Sequence, residues 1–473
     1  MQRSNWLLCV FLTLAACSAN NASPGSSGTG GSSGGGGASA GGSGGTSTTT
    51  GSGGAGPVDS STTGSGGGAS DVAGQGGAGG AGGSAGGGTD GSADAPADAP
   101  SQPNVDVAFC STALDAAVTQ YTRFRTAYTN SANLPRTAKN GVVTTVPITD
   151  WTSGFVAGSY WYLYEYSKDA AFRTAAESAG AALEPQKTTK TDHDLGFRFM
   201  STFGNNFRLT NNANALAVLK TAAASLSTRF HAVVGVIKSW DNPQWDYPVI
   251  IDNMMNLRLL YFVSANGGDP TYADQATQHA LTTIKNHFRP DNSSYHLVNY
   301  NSTTGAIISK VTVQGLADSS AWARGQAWGL YGFTESFVAS KKPEFLAQAQ
   351  KIAAFLMTHK NMPADKVPYW DFDAPAGAAT PRDASAAAIM ASGLLQLSGL
   401  VQEPDASRYR DYALAILKSL TSPAYAAAAG QNSFFLLMHS TGNLPGNSEI
   451  DVPINYADYY YLESLMRCRA LAH

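Results

Sequence analysis

The sequence predicts an all-α protein, an (α/α)6 toroid of paired helices that follows a long structureless segment. Three observations lead there. First, about 30 of the 51 glycines precede residue 100, so packed structure has to lie beyond them. Second, the remainder, from about residue 105 to 473, breaks into about twelve helix-length segments separated by short Gly, Pro, Asn or Asp interruptions. They start near residues 107, 153, 169, 194, 211, 250, 271, 320, 343, 383, 405 and 455. Third, the segments alternate in character. Those starting near 169, 211, 271, 343 and 405 are amphipathic, while those between them are small and apolar on every side, as in ASAAAIMASGLLQL from Ala384 to Leu397. A helix that is apolar all round must be buried, and small residues let several such helices crowd together, which gives an inner ring wrapped by an outer one. An open helical solenoid has the same spacing, and only closure of the ring separates the two.

Taken in order, residues 1–16 read as an export signal. Arg3 supplies the positive start, and Trp6 to Ala16 is apolar but too short to span a bilayer. The run ends in Leu14-Ala15-Ala16-Cys17, which resembles the bacterial lipoprotein box, so Cys17 is the expected site of lipidation and the protein is expected to be exported and membrane-anchored. An ordinary secretory signal with a chance cysteine is the alternative. Residues 17–104 form a Gly/Ser/Ala-rich tether that cannot bury enough apolar surface to offset its ordering entropy. Two serine-hydrolase-like elbows in it, Gly37–Gly41 and Gly82–Gly86, have no strand before them and carry no weight. Residues 105–473 are the expected catalytic domain. The formal net charge is -4, and no Lys or Arg occurs between Arg3 and Arg123. That balance leaves no footprint for nucleic acid, and contact with a membrane is expected only through the lipid. With Cys9 in the signal and Cys17 acylated, Cys110 and Cys468 remain near the two ends of the helical region. An oxidising compartment permits a bridge between them, and two buried thiols fit equally well.

Asp194, Asp252, Asp318 and Asp383 stand at or near the starts of inner segments, with Asp458 inside the last. Helix capping is the ordinary reason for an Asp there. Two differ by context. Asp252 is embedded in Pro248-Val-Ile-Ile-Asp-Asn-Met-Met-Asn256, among large apolar groups that favour a protonated carboxyl, as a general acid requires. Asp194 sits in Thr191-Asp-His-Asp-Leu-Gly-Phe197 beside a second Asp and His193, where like charges push one carboxyl up and hold the other ionised. Two carboxylates in one cleft are the minimum for glycosidic chemistry. Trp151, Trp240, Trp245, Trp322 and Trp328 lie at or near segment ends, where a ring either stacks on a sugar or packs a terminus. Arg324, in a nearly apolar helix, needs an anionic partner from the protein or from a substrate. A short hairpin is expected around 295–300 and 306–313, with His296 in it as a neutral hydrogen-bonding or proton-relay group. No metal-ligand spacing, phosphate loop or dinucleotide fingerprint occurs, so neither metal nor cofactor is expected.

Several blocks carry a wider likeness: Trp151-Thr-Ser-Gly-Phe, Leu183-Glu-Pro-Gln-Lys187, His193-Asp-Leu-Gly-Phe197, the Pro248–Asn256 block, and Asn286-His-Phe-Arg-Pro290. Ser320-Ala-Trp-Ala-Arg-Gly-Gln-Ala-Trp-Gly-Leu330, Pro368-Tyr-Trp-Asp-Phe-Asp373 and Tyr456-Ala-Asp-Tyr-Tyr-Tyr-Leu-Glu463 continue it. Together they resemble the bacterial unsaturated glucuronyl hydrolases over nearly all of residues 107–471. The resemblance implies the (α/α)6 barrel and a cofactor-independent hydration of the C4=C5 bond in the terminal uronate of lyase-generated oligosaccharides. It implies Asp252 as general acid and base, and Asp194 as the residue that orients hydroxyls and stabilises positive charge. His193, Trp240, His296, Gln314, Arg324 and Trp328 would line the uronate site, with Trp151 as a stacking wall. Some members that take sulfated disaccharides carry Ser-x-x-Ser-x-Lys near the C-terminal loop. Here Ser440 to Asp451 (STGNLPGNSEID) has no Lys or Arg, which points toward unsulfated substrates. An unsaturated rhamnogalacturonyl hydrolase and a non-catalytic surface glycan-binding lipoprotein are the alternatives.

Overall fold

A computed structural model describes residues 106–472, so the expected export signal, Cys17 and the expected tether lie outside the described residues. The outer helices are α1 (Ala108–Ala127), α3 (Ala170–Leu183), α6 (Ala213–Ser227), α8 (Thr271–His287), α10 (Pro343–Thr358) and α12 (Asp405–Leu420). The inner ones are α2 (Phe155–Ser167), α7 (Asn253–Ala265), α9 (Ala323–Ser340), α11 (Ala384–Ser398) and α13 (Asn455–Arg469). The sixth inner helix is composite: α4 (Leu195–Phe199) runs through a π turn at Met200–Gly204 into α5 (Asn205–Thr210).

Local chemistry sets several boundaries. Asp169 caps α3 by accepting from the Ala171 amide, and Asn212 caps α6 by accepting from Asn214 and Ala215. Left-handed Lys168, Asn211 and Lys341 stop α2, α5 and α9. The inner helices are buried nearly end to end; in α11 every residue from Ala384 to Leu395 is buried.

Closure decides between toroid and solenoid. Consecutive inner helices pack in turn, α4 on α7, α7 on α9, α9 on α11 and α11 on α13, and α13 then packs back on α2. The last inner helix touching the first makes a ring. That contact needs Gly158, because a Cβ there would collide with the Tyr459 ring. Outside it, α1 lies against α13, and Cys110 and Cys468 are disulfide-bonded, with Cα atoms 6.3 Å apart. The bridge ties the two ends of the described fold, and the free-thiol alternative falls.

Across the ring interior, Glu463 accepts hydrogen bonds from Tyr162 (2.8 Å), Tyr331 (2.9 Å) and Ser392, joining α2, α9, α11 and α13. Arg467 reaches the Tyr331 hydroxyl (2.7 Å) and Ser392 O (2.6 Å). A buried acid is tolerable only with its lone pairs filled in this way.

Among the described residues, strands appear only in the connections. β1 (Asn133–Lys139) and β2 (Val142–Pro147) form an antiparallel hairpin that the sequence reading did not anticipate. β3 (Phe230–His231) pairs with β4 (Val236–Ile237). The expected hairpin is present as β6 (Leu297–Tyr300) and β7 (Ile307–Val311), with β5 (Tyr247–Ile250) added as a third strand beside β6. β5 delivers the chain directly to Asp252, and β6 begins one residue after His296.

Candidate active site

The inner-helix starts meet at one mouth, and side-chain contacts run continuously around it. The segment before α4 bridges to the segment before β5 through Asp192 and Trp240, and the His193 and Trp240 rings are 6.2 Å apart. His193 Nε2 lies 3.4 Å from Asp194 Oδ1. His296 Nε2 lies 3.8 Å from Asp252 Oδ2, and its ring is 4.7 Å from that of Trp322. Arg324 stands over Trp322 (4.5 Å) and Tyr456 (5.4 Å), and Tyr456 is 5.1 Å from Trp151. Arg136, over Trp151 at 5.5 Å, completes the rim, held by Asp150 (3.1 Å) and Glu449 (2.6 Å).

Asp194 and Asp252 occupy the N-cap positions of α4 and α7, yet neither side chain caps its helix. Asp383 does, accepting from the amides of Ser385 and Ala386. Asp318 accepts from the Thr312 amide (2.8 Å), and Asp458 accepts from Leu436 and Leu437 amides and the Tyr121 hydroxyl. The two carboxylates singled out by context are therefore the two that do no capping at inner-helix starts.

Each is faced by an imidazole of fixed tautomer. His296 Nδ1 accepts from the amides of Val313 (3.0 Å) and Gln314 (3.2 Å), so the proton sits on Nε2, toward Asp252. Burial, aided by the charge of Arg324, pushes His296 down to about 3, so the ring is neutral in use. On the other side, Asn256 Oδ1 accepts from the Phe197 amide (3.0 Å), which turns its Nδ2 toward His193 Nδ1 (3.2 Å). His193 thus carries its proton on Nε2, toward Asp194. This arrangement needs Gly196: a Cβ there would sit 2.6 Å from Asn256 Cα, so only glycine lets α4 approach α7 closely enough.

The carboxylate pair of the Thr191–Phe197 segment splits as like charges do. Burial raises Asp194 well above the usual range, reinforced by the charge of Asp192, opposed by Arg198, with Asp252 and Asp150 adding to the rise. Burial also lifts Asp192, but the Arg198 guanidinium at 2.5 Å outweighs it and holds that carboxylate below its usual range. The segment thus holds its two carboxyls apart, Asp194 raised and Asp192 lowered.

Trp151, His193, Asp194, Trp240, Asp252, His296, Gln314, Arg324 and Trp328 are all buried. Eight of the nine join the ring of contacts. Gln314 does so through its amide to His296 and its Nε2 to Gly442 O (3.2 Å), with Oε1 left without a hydrogen-bond partner. Trp328 lies within α9 rather than at its end and packs against Phe197 (6.1 Å) and Tyr460 (5.5 Å). Of the two partners open to Arg324, the protein supplies one: Nη1 binds Asp383 (2.9 Å) and Thr441 O (2.7 Å), and Nη2 binds Gly442 O (2.5 Å). The Ser440–Asp451 segment is thereby fastened to the mouth through backbone carbonyls. Arg136, Asp150, Glu449, Asn256 and Arg198 escaped the sequence reading as site residues. Asn256 lay in a block already singled out, and Asp150 and Arg198 each border one; Arg136 and Glu449 come together from opposite ends of the described fold. Among the described residues, no group of three or more His, Cys, Asp or Glu is arranged to hold a metal ion.

A closed (α/α)6 barrel with two buried, non-capping carboxylates and an aromatic wall at its mouth has the parts that a glycoside hydrolase needs. No protein-family model matches the chain. It is 44% identical over 340 residues to an unsaturated glucuronyl hydrolase of Formosa agariphila, covering 71% of this chain and 84% of that one. The structure of an unsaturated glucuronyl hydrolase specific for heparin matches with a TM-score of 0.75 at 47% identity, over 77% of this chain and 97% of the other. That of the Bacillus sp. GL1 enzyme, responsible for glycosaminoglycan degradation, matches with a TM-score of 0.73 at 30% identity, over 76% and 96%. The chain belongs to the unsaturated glucuronyl hydrolases.

Proposed function

We propose that this enzyme removes a terminal 4,5-unsaturated uronate from lyase-generated oligosaccharides by hydrating the C4=C5 vinyl ether, with Asp252 moving the protons. The observation that carries the residue assignment is the tautomer-fixed His296 Nε2–H directed at Asp252. In the first step the Asp252 carboxyl gives its proton to C4, leaving an oxocarbenium-like centre at C5. The Asp252 carboxylate then takes a proton from water as its oxygen bonds to C5. The resulting C5 hemiketal opens by breaking the C5–O5 ring bond, which gives the C5 ketone and leaves a hemiacetal at C1. That hemiacetal then breaks its C1–O bond to the neighbouring sugar, leaving an aldehyde at C1; one water is consumed and no redox change occurs. His296, neutral and with its Nε2 3.8 Å from Asp252 Oδ2, faces that carboxyl with a donor.

Asp194, with His193 Nε2 3.4 Å from its Oδ1, hydrogen-bonds a sugar hydroxyl and orients it. Trp151 and Trp240 supply stacking walls, and the unfilled Gln314 Oε1 accepts from a sugar hydroxyl. Arg324, engaged by Asp383, positions the Ser440–Asp451 segment, and Trp328 supports the wall through Phe197. In this reading the protein is exported and anchored through a lipid on Cys17, which the Leu14–Cys17 sequence supports. Mass spectrometry of the N-terminal peptide checks that: a diacylglyceryl cysteine is expected, and an unmodified Cys17 would refute it.

Turnover in 18O-labelled water tests the chemistry. The label is expected at the C5 ketone oxygen of the released uronate, together with loss of its ultraviolet absorbance. Label at the anomeric carbon would instead show ordinary glycosidic hydrolysis.

A further inference from the structure

The two segments that carry His193 and Trp240 also build a cavity of about 200 Å3 that the chemistry above does not use. Its lining includes Lys190, Arg229, His231, Lys238, Asp241 and Tyr247. Lys190 precedes His193 by three residues, and Lys238 and Asp241 bracket Trp240 in sequence. Arg229 is only 8% exposed. Its Nε donates to Lys238 O (2.9 Å), and Nη1 donates to Lys190 O and approaches Asp241 at 3.4 Å. These contacts fix the plane of the guanidinium while its buried Nη2 has no hydrogen-bond partner, and His231 Nδ1 is likewise buried without one.

The charge does not balance. Lys238 Nζ lies 3.1 Å from Asp241, so a single carboxylate, itself 64% exposed, serves both Lys238 and Arg229. Lys190 pairs with no acid among the described residues. The neighbouring Asp246 is engaged by the amide and hydroxyl of Ser302. Even with Asp246 counted beside Asp241, a positive charge is left over around a space of small-anion size, with a pre-oriented guanidinium in its wall. A fixed guanidinium edge flanked by ammonium groups is the arrangement that recognises planar or tetrahedral oxyanions.

We propose that this cavity is an oxyanion site, taking a sulfate or carboxylate group that is either borne by the saccharide or free in solution. The Ser440–Asp451 segment has no cation, so charge recognition on the substrate, if it occurs, moves to this flank of the mouth. The saccharide-borne form rests on the proposed activity; the binding itself does not.

Calorimetric titration of the full chain with inorganic sulfate, at ionic strength matched with sodium chloride, tests the site directly. Saturable binding is expected for wild type. Lys190→Gln/Lys238→Gln, both changes lying at the cavity rim, should weaken it roughly tenfold or more, as should Arg229→Lys, which keeps the charge but loses the fork. Asp252→Asn should leave it unchanged, which separates failure of this proposal from failure of the catalytic one. The ratio of kcat/KM for sulfated over unsulfated unsaturated disaccharides then identifies the source. A fall of similar size in the double variant assigns the oxyanion to the saccharide. An unchanged ratio with weakened sulfate binding assigns the site to a free ion. No saturable binding in wild type, or equal affinity in wild type and variants, overturns the proposal.

Discussion

Replacing Asp252 with Asn isolates proton transfer from everything else the residue does. The side chain is fully buried and does not cap α7, so an isosteric amide costs no helix cap and opens no cavity. The orientation of His296 is fixed by the Val313 and Gln314 amides rather than by Asp252, so the substitution leaves that ring in place. What disappears is the transferable proton, used twice per turnover. General acid–base catalysis contributes about 10²–10⁴-fold, and a group that acts in both steps belongs at the upper end, about 5 kcal/mol of barrier. The expected result is kcat lower by about 10⁴-fold, with KM changed less than about threefold because the stacking walls and Gln314 are untouched. Asp194→Asn is the internal comparison. Asp194 is assigned a hydrogen bond to a sugar hydroxyl rather than a proton transfer, and an Asn amide can keep such a bond, so a milder loss of about 10–100-fold is expected. The assay is the initial rate of disappearance of the unsaturated uronate's ultraviolet absorbance, with folding checked by circular dichroism. Asp252→Asn retaining kcat within about tenfold, or Asp194→Asn proving the more damaging, would refute the assignment of roles.

Three further outcomes follow from the packing. Gly196→Ala puts a methyl group against the Asn256 backbone, so stability should drop by about 1–3 kcal/mol and kcat should fall as His193 loses its partner, both readable from Tm and rate; unchanged values would mean that α4 and α7 need no such approach. Cys468→Ser opens a cross-link spanning 358 residues, which chain entropy values at up to about 5 kcal/mol, so Tm should fall clearly while kcat at low temperature persists; a migration on non-reducing gels identical to that of reduced protein would remove its basis. Burial pushes Asp458 up to about 7, against the opposing pull of the Leu436, Leu437 and Tyr121 donors. The folded state therefore keeps a proton that the unfolded chain releases above about pH 4, so this group's stabilisation, full below pH 4, is lost as pH rises to about 7, at most about 4 kcal/mol. Asp458→Asn should flatten Tm against pH over that window, and an unaltered slope would show that Asp458 is ionised throughout.

Much of this protein was legible from residue pattern alone. Helix starts near 153, 250 and 383 fall within three residues of those observed, because the 3.6-residue period and its breakers are local properties. The alternation of amphipathic and uniformly apolar segments sorted outer helices from inner ones for the same reason. Asp194 and Asp252 stood out because their neighbours in sequence, Asp192, His193 and Ile251, are also their neighbours in space. The β1–β2 hairpin went unread: its strands show little regular alternation, since β2 is mostly exposed.

What only the tertiary structure decided is whatever depends on groups far apart in the chain. Closure of the ring, and with it toroid over solenoid, rests on α13 meeting α2 across about three hundred residues, and the Cys110–Cys468 bridge depends on the same closure. Whether an Asp caps its helix or faces a mouth cannot be read from its position, since Asp252 and Asp383 hold equivalent ones; the difference is Arg324 and the Ser385 amide beside one, and His296 beside the other. The His296 tautomer follows from two amides seventeen and eighteen residues away, and the split between Asp192 and Asp194 follows from Arg198 and from burial. A sequence determines which groups are available and which helical face they share. Charge state and direction are set by the dielectric and the donors that folding brings within hydrogen-bond reach.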